Sequence, residues 1–134
     1  MQDSIFSKII KGDIPSEKIY EDNLTIAFLT VEPIQPGHTL VVSKKQVDQL
    51  WDLDDENYYA VMDTAKKVAK RIKDALGVER VGVKVEGLEV PHVHVHLIPF
   101  STVQEYNSPA RLAAPHDLAE MAKKIRFPEV ETTN

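Results

Sequence analysis

The sequence predicts an α+β fold, and three patterns in it lead there. Short runs rich in valine, isoleucine and aromatic residues are separated by glycine, proline, asparagine and aspartate, as antiparallel strands are by their turns. One long stretch, residues 54–76, instead repeats apolar residues every three or four positions. Near the middle, residues 91–100 alternate histidine with aliphatic side chains at the period of a strand. A chain of 134 residues holds one core rather than two. The expected architecture is an antiparallel sheet of about five strands, with one long helix packed on it and a short N-terminal helix.

Each element follows from local chemistry. In residues 4–11, Ser4 is a helix cap and Ile5, Phe6, Ile9 and Ile10 fall at helical spacing; Gly12 ends the helix. Residues 17–21 and 24–29 read as strands joined at Asp22-Asn23, a pair that tolerates the positive φ of a tight hairpin. Residues 30–37 form a loop with Pro33 and Pro36, and residues 38–43 form a third strand. His38, far in sequence from the other histidines, reads as structural. Residues 46–50 make a short helix or turn.

Asp54 or Asp55 caps the long helix and Gly77 stops it. Its expected buried stripe is Tyr59, Met62, Ala65, Ala69, Ile72 and Leu76. Lys66, Lys67, Lys70, Arg71 and Lys73 mostly lie off that stripe, on a solvated face. Residues 79–85 are valine-rich and alternate poorly, which points to a strand at the centre of the sheet. Gly87 breaks that strand before the histidine run. Residues 116–126 are helical, with Leu118, Met121, Ala122 and Ile125 on one side, and residues 127–134 carry no pattern and are expected to be flexible.

Composition excludes several function classes. The formal charge is -5, which argues against broad affinity for nucleic acid. No apolar run approaches the roughly 20 residues that span a bilayer. The amino terminus does not read as a secretory signal. Without cysteine there is neither disulfide framework nor thiolate chemistry, and a cytoplasmic location fits.

The histidine run carries the chemistry. In a strand, His92, His94 and His96 share one face, while Val93, Val95 and Leu97 bury the other. Three readings compete. The row is a set of hydrogen-bonded or partly exposed rings, or a metal site, or an anion site. Strand residues i and i+4 are about 13 Å apart at about 3.3 Å per residue, too far for one ion to bind all three rings. A phosphate presents several oxygens to several imidazoles, and a ring with a pKa of about 6.5 can donate, accept or attack near neutrality. The anion reading is favoured.

His92-Val93-His94-Val95-His96-Leu97-Ile98 resembles the motif of the histidine triad (HIT) family of nucleotide hydrolases and transferases. Ile5-Phe6-Ser7-Lys8-Ile9-Ile10, Ile14-Pro15, Tyr20-Glu21-Asp22, Ala27-Phe28-Leu29, Pro36-Gly37-His38-Thr39-Leu40-Val41-Val42 and Lys44-Lys45 resemble its other landmarks, in order. The resemblance implies a HIT domain over residues 4–105, followed by an extension, residues 106–134, with a short helix and a flexible tail. It further implies a homodimer and a purine nucleotide substrate.

By the same resemblance His94 is the nucleophile. It attacks the α-phosphorus of a nucleoside 5′-phosphoramidate or a related AMP or GMP conjugate and forms a nucleotidyl-histidine. His96 and His92 orient the phosphate and hold His94. Phe6, Ile9 and Phe28 line the base pocket, and Gly87 brings a backbone N–H to the phosphate. No metal or other cofactor is needed. Where relatives of this type carry zinc-binding Cys-x-x-Cys and a histidine, this chain has Ser4-Ile5-Phe6-Ser7 and Gln46, which predicts no zinc. Thr30 stands where the phosphoramidase branch has a ribose-binding acid, and Glu89 stands where it has a serine near the leaving group. These departures leave two alternatives, a nucleotide-binding protein with little turnover and a dinucleoside polyphosphate hydrolase.

Overall fold

The computed structural model describes residues 2–130. Ten elements follow in order: α1 (Ile5–Ile10), β1 (Lys18–Glu21), β2 (Thr25–Leu29), β3 (Thr39–Ser43), a 3-10 turn (Leu50–Asp52), α2 (Asp55–Leu76), β4 (Arg80–Lys84), β5 (His94–Phe100), α3 (Val103–Tyr106) and α4 (Pro115–Ile125). The five strands form one antiparallel sheet in the order β1-β2-β3-β5-β4. The α+β expectation holds, with the histidine strand on an inner position.

Capping sets the helix ends as the sequence indicates. The Ser4 hydroxyl accepts the Ser7 N–H, the Asp54 carboxylate accepts the Asn57 N–H, and Gly77 closes α2 at φ 67°. The hairpin at Asp22-Asn23 forms by a different device. Among the described residues, none other than glycine has positive φ. Instead Asp22 Oδ1 accepts the N–H groups of Leu24 and Thr25 and builds the turn with its side chain.

One sheet face, through Ala27, Leu29, Val41, Val95 and Leu97, packs on α2. The helix turns Val61, Ala65, Val68 and Ile72 toward it, rather than the stripe through Tyr59 and Met62. Tyr59 is 59% exposed. The side chains of Thr25 and Thr64 hydrogen-bond at 2.7 Å between sheet and helix, which fixes this rotation. A 3.6-residue period admits several stripes, and only the sheet decides which is used. Burying Val61, Val68 and Ile72 contributes about 1.5–3 kcal/mol each.

Two expectations about the sheet and chain end are corrected. β4 lies at the sheet edge, not its centre. Its valines are in part exposed, Val83 at 54% and, just past the strand, Val85 at 40%. The tail expected to be flexible from Phe127 is docked over residues 127–130. Phe127 meets Tyr20 edge-on with ring centroids 5.1 Å apart, its N–H donates to Ile19 O, and Val130 packs on the core. Arg71 caps α4 by donating to the carbonyls of Ile125 and Arg126. Residues 131–134 of that expectation lie outside the described residues.

Candidate active site

Register decides which side chains share the face opposite α2. Leu40 pairs with His96 and Val42 with His94, and Phe28 and Ile26 continue the row onto β2. This face carries its own apolar cluster of Phe6, Ile26, Phe28, Leu40 and Val42, with Ile9 packed against it. The histidines therefore do not stand alone on their face. Phe6 of α1 meets the His94 ring edge-on at 4.8 Å. Phe28 is buried beneath Phe6, at 5.7 Å. Ile9 is half-buried at the rim.

His92 is not part of the strand. β5 begins at His94, because the His92 N–H turns back to Val90 O at 2.8 Å. Its ring is fully buried and both nitrogens are occupied. Nε2 lies 2.6 Å from Ser43 O, so it must donate to that carbonyl, and Nδ1 then accepts from the Ser4 hydroxyl at 2.6 Å. His92 thus lies outside the strand, with its ring also against Phe6, and has no ring nitrogen left for a ligand. Its backbone carbonyl is the part that matters. His94 Nδ1 donates to it at 2.7 Å, which places the proton on Nδ1 and leaves Nε2 with a free lone pair.

A fourth histidine completes the set. His38 Nδ1 accepts the Ile34 N–H at 3.0 Å, so its proton sits on Nε2 and is donated to His96 Nδ1 at 3.0 Å. That hydrogen bond leaves His96 with its proton on Nε2. The His94 and His96 rings are 5.0 Å apart, one presenting a lone pair and the other an N–H. Burial, then the neighbouring His96 and Lys84, push His38 down to about 3. Burial, then His94 and Lys84, push His96 down to about 4, against a smaller opposing effect of Glu86. Burial also lowers His92, despite its bond to Ser43. His38, His92 and His96 are therefore neutral near pH 7 in the free site.

Ser4, Ser7 and Gln46 form a hydrogen-bonded knot that ties α1 to His92. The Ser7 hydroxyl donates to Gln46 Oε1 at 2.5 Å, and the Ser4 N–H donates to the same oxygen at 2.9 Å. Sequence reasoning found Ser4 as a helix cap and as a stand-in for a zinc-binding cysteine, and His38 only as a structural residue. The local signal was thin, because Ser4 and His92 are 88 residues apart and His38 and His96 are 58 apart.

The remaining expected residues fall in different places. Gly87 lines a cleft of about 100 Å³ together with Asp48, Trp51, Glu86 and His94. Its φ is 76°, and a Cβ there would come no closer than 3.8 Å to the protein, so conformation rather than crowding selects glycine. Thr30 is half-buried past the end of β2, where its hydroxyl accepts the Glu32 N–H at 3.2 Å. It lines a larger cavity of about 360 Å³ with His38, Asp117 and Lys124. Glu89 is exposed in the loop before His92 and does not line the cleft beside His94.

Comparison with known proteins agrees with this geometry. Residues 11–103 match the family model described as the HIT domain. An uncharacterized HIT-like protein of Borreliella burgdorferi is 38% identical over 106 residues, covering 74% of this chain and 76% of its own. Adenosine 5′-monophosphoramidase HNT1 of Saccharomyces cerevisiae is 43% identical over 96 residues, 71% of this chain and 61% of that protein. The crystal structure of a Hit-like protein from Bartonella henselae superposes with a TM-score of 0.83 at 35% identity, covering 94% of this chain and 98% of that one.

Proposed function

Because the chain belongs to the HIT domain family, we propose that it is a nucleotide hydrolase acting on nucleoside 5′-phosphoramidates or related AMP or GMP conjugates. The observation that carries this reading is the His94 Nδ1–H bond to the His92 carbonyl, which frees Nε2 as a nucleophile. Its lone pair forms a bond to the α-phosphorus while the bond from phosphorus to the leaving nitrogen breaks. The bound anionic phosphate favours the protonated form of His96, at the expense of its hydrogen bond from His38, and the Nε2 proton passes to the departing nitrogen. Water then attacks the nucleotidyl-histidine, the P–Nε2 bond breaks, and the water proton returns to His96. His92 holds His94 through its carbonyl rather than touching phosphate. Phe6 and Ile9 offer the apolar rim for a purine, with Phe28 supporting them from below. The Gly87 N–H serves the phosphate.

Supporting the amide substrate class is the similarity to a protein named adenosine 5′-monophosphoramidase. Incubation with adenosine 5′-phosphoramidate tests it. Wild type is expected to release AMP, and His94→Ala to lose about 10³-fold or more. Equal background rates for the two would end the proposal. A second reading, binding with little turnover, draws on the neutral Thr30 hydroxyl and on Glu89 lying outside the cleft; AMP binding without multiple turnover is its signature.

The proposed assembly is a homodimer joined along β4. An edge strand bearing Val83, with Val85 just past its end, is an open template for a second copy. Light scattering during gel filtration checks the mass, and a monomer at micromolar concentration would refute it.

A further inference from the structure

Once His96 has given its proton to the leaving group, the reaction just described has no cation to meet the charge on the phosphoryl oxygens. Register supplies one. Lys84 lies directly opposite His96 across the β4–β5 pair. Residues directly opposite project from the same face, with Cβ atoms about 4.5–5.5 Å apart. Lys84 therefore rises beside the ring that holds the second phosphate contact, one ring away from His94.

Other charged strand residues on this face are either engaged or farther from His94. Glu21 is held by Lys18 and Lys44 at 2.7 and 2.8 Å, at the β1 end of the sheet. Arg80 is opposite Phe100, beyond Gly82, whose missing side chain is replaced by the Tyr106 ring. Lys84 itself is loosely held. Its ammonium stands 3.9 Å from Glu86, beyond hydrogen-bond distance, and both side chains are about half exposed, at 49% and 53%. Solvent makes such a pair worth little. Its flexible four-carbon stem lets the ammonium swing without moving the backbone. The charge is already felt at the site, because it opposes protonation of both His96 and His38.

We propose that Lys84 is a catalytic residue: when a nucleotide binds, its ammonium leaves Glu86 and donates to a non-bridging α-phosphoryl oxygen beside His96. There it neutralises charge as the bond from His94 forms. The proposal rests on the nucleotide reading above. The plainer role for a lysine on an edge strand is protection against unwanted strand pairing, and the following experiment separates the two.

Binding of AMP and of adenosine is measured by calorimetry for wild type, Lys84→Gln and Lys84→Arg, alongside kcat/KM for adenosine 5′-phosphoramidate. Loss of a charged phosphate contact is expected to weaken AMP binding about tenfold or more in Lys84→Gln, leave adenosine binding unchanged, and be largely rescued in Lys84→Arg. The same variant is expected to lose kcat/KM at least in proportion. Unchanged AMP affinity and kcat/KM in Lys84→Gln would overturn the role of Lys84 while leaving the nucleotide reading intact. Equal weakening of AMP and adenosine would also overturn it, as a structural effect. Failure of wild type itself to bind AMP would sink the nucleotide reading, and the Lys84 proposal with it.

Discussion

Mild acid is expected to unfold this protein through its active-site rings. His38 and His96 are pushed down to about 3 and about 4 by burial and neighbouring rings and lysine, whereas an unfolded histidine titrates near 6.5. Below pH 6.5 the unfolded chain takes up protons that the folded chain refuses. Stability is therefore complete above about pH 6.5 and falls as the pH drops toward the folded values. Between pH 7 and pH 5 each of the two rings accounts for about 2 kcal/mol, so the pair removes about 4 kcal/mol. His92 shifts in the same direction and adds to the loss.

The interval isolates the histidines. At Asp22, burial raises the carboxyl but is outweighed by hydrogen bonds from Leu24 and Thr25, and such depressed carboxylates matter only below about pH 5. Urea unfolding followed by far-ultraviolet circular dichroism is the assay, since the exposed Trp51 is a poor reporter. At about 2 kcal/mol per molar urea, the midpoint should fall by about 2 M between pH 7 and pH 5. His38→Gln takes one ring out of both states, and its loss should be smaller by about 2 kcal/mol. A wild-type midpoint that moves by less than about 0.5 M, or a His38→Gln protein that loses as much as wild type, refutes the reasoning.

Three further outcomes can be checked at the bench. Ser4→Ala removes both a helix cap and the hydroxyl that fixes the His92 ring, so it should cost about 1–2 kcal/mol in urea unfolding and lower kcat more than KM. Ser4→Thr should restore both, and Ser4→Gly should restore much of the stability but not the rate. Ser43 Oγ is buried with no partner among the described residues, so Ser43→Ala should raise the melting temperature by about 3 °C, for about 1 kcal/mol. Gly87→Ala has room for its methyl group but not the right backbone; a calorimetric scan should show a loss of about 1–2 kcal/mol.

Much of the fold was legible because its signals are local. Asp54 and Gly77 mark the ends of α2, and Ser4 marks the start of α1, since capping involves only the next few residues. The alternation from His94 to Leu97 placed a strand correctly, with its aliphatics against α2. The misreadings share one cause, which is that a neighbour distant in sequence made the choice. Valines near residue 83 look the same on an edge as in a centre. His92 keeps the alternation but leaves the strand, because Ser4, Ser43 and Val90 claim its polar atoms. Phe127 follows no period, yet a gap beside Tyr20 receives it. Of the site, the histidine pattern announced His94 and His96, whereas His38 and Ser4 became visible only through contacts across the sheet.

The last quarter of the chain has a consequence for when the protein becomes competent during synthesis. After β5 the backbone doubles back, and the N–H groups of Arg111 and Ala113 donate to Pro33 and Val31, while Gln35 reaches Glu105 and Ser108. The segment so clasped carries Thr30 at one end and His38 at the other. A ribosome that has released only the first hundred residues holds every triad histidine but not this clasp. Chains stalled or clipped before Ala113 should therefore be inert although every triad residue is present, and activity should arrive abruptly once residues 105–113 are in place rather than grow with length.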